Sequence, residues 1–90
     1  MLKLSTTTRF NKDLKLCQRR GYNLDLLYNI VNILRIPDTL PVKNRDHDLK
    51  GNFAGKRECH IAPDWLLIYR IKDDELMLDR TGTHADLFGK

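Results

Sequence analysis

Ninety residues allow one small domain built around one core, read here as residues 1–90. A hydrophobic fraction of 41% is enough to fold, which excludes a disordered polymer. Sixteen Lys and Arg against twelve Asp and Glu leave a net charge of +4, which fits an anionic partner such as nucleic acid or an acidic protein.

The opening residues Met1–Ser5 hold no apolar leader, and no apolar run approaches the ~18 residues of a membrane span, so a soluble cytoplasmic protein with no membrane partner is expected. Alternating Leu2, Lys3, Leu4 and Ser5 predict a half-buried strand. From Arg9 the period lengthens, and Phe10, Leu14 and Cys17 fall on one helical face that Gly21 terminates. Asn23 caps a second helix whose stripe is Leu24, Leu27, Ile30, Val31 and Leu34, and Pro37 ends it. Residues 37–55 read as a long, polar, turn-rich connection. Three strands follow, at Lys56–Ile61, Trp65–Ile71 and Glu75–Thr81, the last two joined by Lys72-Asp73-Asp74. Thr83 then caps a single C-terminal helical turn. The expected fold is α+β: a strand and a helical hairpin packed on an antiparallel meander, in the order β-α-α-β-β-β. Cys17 and Cys59 lack C-x-x-C spacing and read as buried free thiols.

Histidine is the side chain best suited to proton transfer near neutral pH, and none of the three lies in the hairpin. His60 and Asp64 flank a short turn, while Arg80 and His84 leave the last strand beside it. The meander therefore gathers these four at one end of the sheet, where the loop bearing His47 can fold over them. Such a set suits RNA cleavage by internal transesterification. A base takes the ribose 2′-hydroxyl proton, an acid protonates the leaving 5′-oxygen, and a cation such as Arg80 offsets the phosphoryl charge. Trp65 and Phe88 could stack on bases. The competing readings are structural: Trp65 as core, Phe88 as a plug, Arg80 paired to Asp79 or Asp64. Zinc competes for His47, His60, Asp64 and His84, but no close ligand spacing supports it and Arg80 would repel a cation.

The stretch Arg57 to Tyr69 (RECHIAPDWLLIY), followed by Arg80 to Phe88 (RTGTHADLF), resembles the YafQ-like branch of the RelE toxins. So do Asp46-His47-Asp48-Leu49-Lys50-Gly51 and Phe10 to Lys15. The resemblance covers nearly the whole chain and implies a RelE-like fold. It also implies a type II toxin–antitoxin toxin that enters the ribosomal A site and cleaves mRNA without metal or cofactor. A cognate antitoxin would neutralise it through an acidic segment, and operator DNA would be met only through that antitoxin. The family's site residues match His47, His60, Asp64, Trp65, Arg80, His84 and Phe88, with proton transfer expected first of His84 and Asp64. Lys12, Lys15, Arg19 and Arg20, with Lys50 and Lys56, are candidates for RNA phosphates or simply a solvated face. Two rivals stay open. A ParE-like gyrase inhibitor needs no histidine cluster, and a helix-turn-helix repressor would need a less apolar second helix.

Overall fold

The computed structural model describes residues 1–89. Its elements run β1 (Lys3–Thr6), α1 (Thr8–Arg19), α2 (Leu24–Arg35), β2 (His47–Asp48), β3 (Arg57–Ala62), β4 (Trp65–Lys72), β5 (Glu75–Gly82) and α3 (His84–Phe88). Short 3-10 turns at Val42–Asn44 and Gly51–Phe53 flank β2. The expected long loop is thus interrupted by a two-residue strand, too short to show a period in sequence.

Local chemistry fixes the helix ends. The Thr7 hydroxyl accepts from the Phe10 N–H to start α1, and Gly21 adopts φ +78° between the helices. The Asn23 side chain accepts from the Asp25 N–H to start α2. At the far end the Arg35 Nε donates to the Leu2 carbonyl, tying the hairpin to β1.

The five strands form one mixed sheet in the order β1-β5-β4-β3-β2. The meander β3-β4-β5 is antiparallel as expected, whereas β1 lies parallel to β5, from which the helical hairpin and the other three strands separate it in the chain. One face of the sheet carries Trp65, Leu67, Tyr69, Leu76 and Leu78 against Phe10, Cys17, Leu27, Ile30 and Leu34 of the helices. The other face buries Leu66, Ile68 and Leu87 under Leu49, Phe53 and Phe88. Both parities of β4 are therefore covered, which explains its unbroken apolar run. Both cysteines are buried and unpaired.

A bulge in β5 sets the orientation of its last residues. Tyr69 pairs with Leu78 and Ile68 with Arg80, leaving Asp79 as the extra residue. Leu78 and Thr81 consequently face the helices, and Arg80 turns to the opposite face beside Ile68. A strict period of two cannot reveal that inversion.

Candidate active site

Cross-strand pairing assembles the site on the sheet face opposite the helices. Arg80, Ile68, Glu58 and His47 form one row through the successive pairs β5-β4, β4-β3 and β3-β2. Leu66 pairs with both Gly82 and His60 to make the next row. Glu58 is buried and lies between two imidazoles: its Oε1 is 3.6 Å from His47 Nε2 and 3.8 Å from His60 Nε2. The Arg45 carbonyl, 2.6 Å from His47 Nδ1, can only accept, so that nitrogen carries the hydrogen and Nε2 faces Glu58.

His84 reaches the same spot from the start of α3. Its ring centroid lies 5.7 Å from that of His60, nearly edge to face. Asp64, in the β3-β4 turn, accepts the His84 backbone N–H at 2.9 Å and its Nδ1–H at 2.6 Å, which leaves Nε2 as the ring nitrogen not bonded to Asp64. The helix bearing His84 is held by a reciprocal cap in which the Thr83 hydroxyl accepts from the Asp86 N–H and the Asp86 carboxylate accepts from the Thr83 N–H. Arg20 of the α1 end grips the same carboxylate through both Nη atoms at 2.6 and 3.0 Å.

The surroundings of His60 disfavour its charged form. His60, with a side chain only 14% exposed, has its pKa lowered by burial; Glu58 opposes the shift, and Arg45, His84 and His47 reinforce it. Asp64 is held below the usual carboxylate range by the two hydrogen bonds from His84, the backbone one first. Asp86 lies well below that range, chiefly because of Arg20.

Of the five residues expected to converge, His47, His60, Asp64 and His84 do so. Arg80 lies in the same cross-strand row as Glu58 and His47, with its guanidinium paired to a carboxylate. Its Nε and Nη2 donate to Asp13 of α1 at 2.6 and 3.2 Å, and Asp13 also accepts the Thr81 N–H at 3.2 Å. β1 ends at Thr6, so Asp13 satisfies the edge of β5 beyond it, and the arginine follows that carboxylate. Its ion pair is therefore with Asp13, not with the Asp79 or Asp64 considered from sequence.

Trp65 takes the core position that competed with base stacking. It is 4% exposed, packs on Tyr22 at 4.9 Å, and donates from Nε1 to the Thr81 hydroxyl at 2.9 Å. Phe88 stays half-buried, edge-on to Phe53 at 5.5 Å. Lys12, Lys15 and Lys50 are exposed, whereas Lys56 is half-buried, 3.9 Å from Asp79. Arg20 is taken by Asp86 and leaves the set of free cations.

Sequence reasoning missed Glu58 and Asp13. Glu58 stands two residues before His60, and period-two alternation would have put both on one face. Asp13 sits among lysines on a helix, and nothing local marks it as the partner of Arg80. As for metals, no group of three or more His, Cys, Asp or Glu among the described residues is arranged to hold an ion.

Fold and site together define a small α+β protein with a histidine–carboxylate cluster on the sheet face opposite the helical hairpin, suited to moving protons on a bound substrate. A family model described as the bacterial toxin of type II toxin–antitoxin systems, YafQ, matches residues 2–89, and the chain belongs to that family. The mRNA interferase toxin YafQ of Escherichia coli K12 is 43% identical over 83 residues, covering 90% of this chain and 89% of its own. A copper-bound mutant toxin from Helicobacter pylori superposes with a TM-score of 0.94 at 42% identity, covering 98% of this chain and 100% of that one. The toxin fold in the E. coli DinJ–YafQ toxin–antitoxin complex gives 0.90 at 37% identity, with 99% and 100% coverage. No helix among the described residues is long and apolar enough to cross a membrane.

Proposed function

We propose that this toxin is an endoribonuclease that cleaves mRNA on the ribosome, in the cytoplasm, through acid–base chemistry without a metal. The observation that carries this reading is the pair of imidazoles, His60 and His84, at 5.7 Å, the second oriented by Asp64. Two such groups can serve the two ends of one phosphodiester. Unprotonated His60 takes the proton of the ribose 2′-hydroxyl, and that oxygen bonds to phosphorus. The bond from phosphorus to the 5′-oxygen breaks, and protonated His84 gives its Nε2 proton to the departing oxygen. The products are a 2′,3′-cyclic phosphate and a 5′-hydroxyl. His47 and Glu58 set the charge and position around His60, and Phe88 offers a ring to a neighbouring base. Arg80, held by Asp13, contributes positive charge from the β5 edge.

The relatives supply the biological frame for this reading. One is named an mRNA interferase, and another is seen with the antitoxin DinJ. By this account residues 1–90 act as one toxin domain that a cognate antitoxin blocks, with an acidic segment meeting the basic surface. Operator DNA is contacted only through that antitoxin.

Expression in bacteria tests the proposal. Growth arrest with cuts inside translated reading frames is expected, both abolished by His84→Ala, and cleavage in purified programmed ribosomes should survive EDTA. Intact mRNA together with inhibited gyrase would make it a gyrase toxin instead, and chelator-sensitive cleavage would defeat the metal-free mechanism.

A further inference from the structure

Cleaving a phosphodiester strand requires cations for the phosphates on either side of the cut, and most arginines near this cluster already have partners. Arg80 is paired with Asp13, Arg57 with Asp46 and Asp48, and Arg20 with Asp86. Lys56 lies beside Asp79. Two cations next to His60 differ. Lys43 and Arg45 are exposed, and among the described residues neither has a carboxylate within ion-pair distance.

Both line a cavity of about 420 Å³ with His60, Ile61, Ala62 and Pro63, on the outer side of the β3-β4 turn. The segment is built to hold them there. Asn44, between them, is buried, and its Nδ2 donates to the His60 carbonyl at 2.8 Å, so the turn is pinned to the strand that carries His60. Arg45 adopts a left-handed backbone (φ +50°), a conformation that non-glycine residues rarely take. Its carbonyl is the acceptor that fixes His47 Nδ1. One three-residue segment thus touches both histidines and points two unpaired cations into the cavity beside the base.

Resting on the ribonuclease reading, we infer that the Lys43–Arg45 cleft binds the mRNA backbone at a phosphate adjacent to the scissile one. This would set where along the strand His60 meets a 2′-hydroxyl. The ligand is an RNA phosphodiester, held by charge and by the guanidinium fork rather than by base edges. The cleft is a positioning subsite: it acts on substrate placement, while proton transfer stays with the imidazoles.

The test uses programmed ribosomes, single-turnover cleavage, and mRNAs in which one phosphate at a time near the cut is replaced by a neutral methylphosphonate. Wild-type protein should lose affinity at one linkage flanking the cut. Lys43→Gln/Arg45→Gln should show weaker binding with natural mRNA, no further loss at that linkage, and full sensitivity at the others. Losing the contact to one single-strand phosphate should reduce the salt slope by about 0.7, so the difference from wild type changes about 2.6-fold between 50 and 200 mM salt. Lys43→Gln alone leaves the left-handed Arg45 backbone untouched and should show half the change in slope, which separates charge from misfolding. Unchanged affinity, equal sensitivity of variant and wild type at every linkage, or a loss confined to antitoxin binding would each overturn the inference. Wild-type protein that cuts no mRNA would overturn the ribonuclease reading instead.

Discussion

Asp64 Oδ1 accepts twice from His84, from the backbone N–H and from the ring Nδ1–H, so a single carboxylate oxygen fixes both the start of α3 and the tautomer of its first side chain. This is the arrangement by which a carboxylate presents the far nitrogen of an imidazole to a substrate. Asp64 remains ionised below the usual range because His84 donates to it.

His84→Ala is therefore expected to lower single-turnover cleavage by about 10²–10⁴-fold, the range of a lost general acid. Asp64→Asn, which keeps an oxygen but loses the charge, should fall between that variant and wild type. The double variant should be no worse than His84→Ala, because both act through one nitrogen. Multiplying losses would show that Asp64 acts separately.

A second expectation concerns pH. Burial makes the folded state hold the His60 proton less tightly than the unfolded chain does. Its neutral form, the one a base needs, thus persists to lower pH than an ordinary imidazole of pKa ~6.5. The acid limb of the cleavage rate should lie below that value. Glu58 is the carboxylate that pulls the His60 pKa upward, so Glu58→Gln should move the limb to still lower pH. The same shift bears on folding with a fixed sign. The stability it protects is present above the unfolded pKa and is lost as pH falls through the lowered folded one. Urea melts between pH 7.5 and 5 should show less acid destabilisation in His60→Gln than in wild type. A Glu58→Gln limb moving towards neutral pH would contradict the assignment.

The residues that sequence made legible are those whose placement follows from chain direction. A strand turn puts His60 beside Asp64, and antiparallel return brings His84 to them. Helix ends at Asn23, Gly21 and Thr83 follow from local hydrogen bonding and backbone freedom, and the α+β order from hydrophobic period. What escaped depends on structure without a local signature. The Asp79 bulge turns Arg80 over, two residues of β2 bring His47 into the sheet, and Asp13 meets Arg80 across 67 positions. Trp65 shows the same limit, since its parity on a strand buried on both faces gave no sign of which side was open.

The Asp13–Arg80 pair yields a third expectation, one of stability. The arginine side chain is 19% exposed and its carboxylate partner 11%. Asp13→Ala would strand a largely buried guanidinium and leave the Thr81 N–H at the β5 edge without its acceptor. A loss of about 1–3 kcal/mol is expected, which in a chain of this size is on the order of 4–8 °C in Tm for each kcal/mol. Asp13→Asn should recover part of it by keeping the acceptor for Thr81. Calorimetry finding Asp13→Ala as stable as wild type would reduce the pair to a surface contact.

The fourth expectation returns to the support of His84 from below. Gly82 has φ +156°, and a Cβ there would lie 2.8 Å from Asp86 Oδ2 and 2.9 Å from Asp86 Cβ. Such contacts force Asp86 to move, and Asp86 is the side chain that closes the Thr83 cap and takes the Arg20 guanidinium. Gly82→Ala should thus displace the start of α3 while leaving the core under the helical hairpin intact, since none of that core's residues lies in α3. A shift approaching 1 Å at a proton-transfer group lowers rates by up to about 10²-fold. The expected signature is a large fall in cleavage with a small change in Tm, plus altered NMR resonance of the His84 Nδ1 proton shared with Asp64. Arg20→Ala should act in the same direction and more weakly, because the Thr83 cap survives it. The pair should be less than additive. Gly82→Ala with wild-type cleavage and an unmoved His84 resonance would show that α3 is positioned by Leu87 and Phe88 packing rather than by the Asp86 cap.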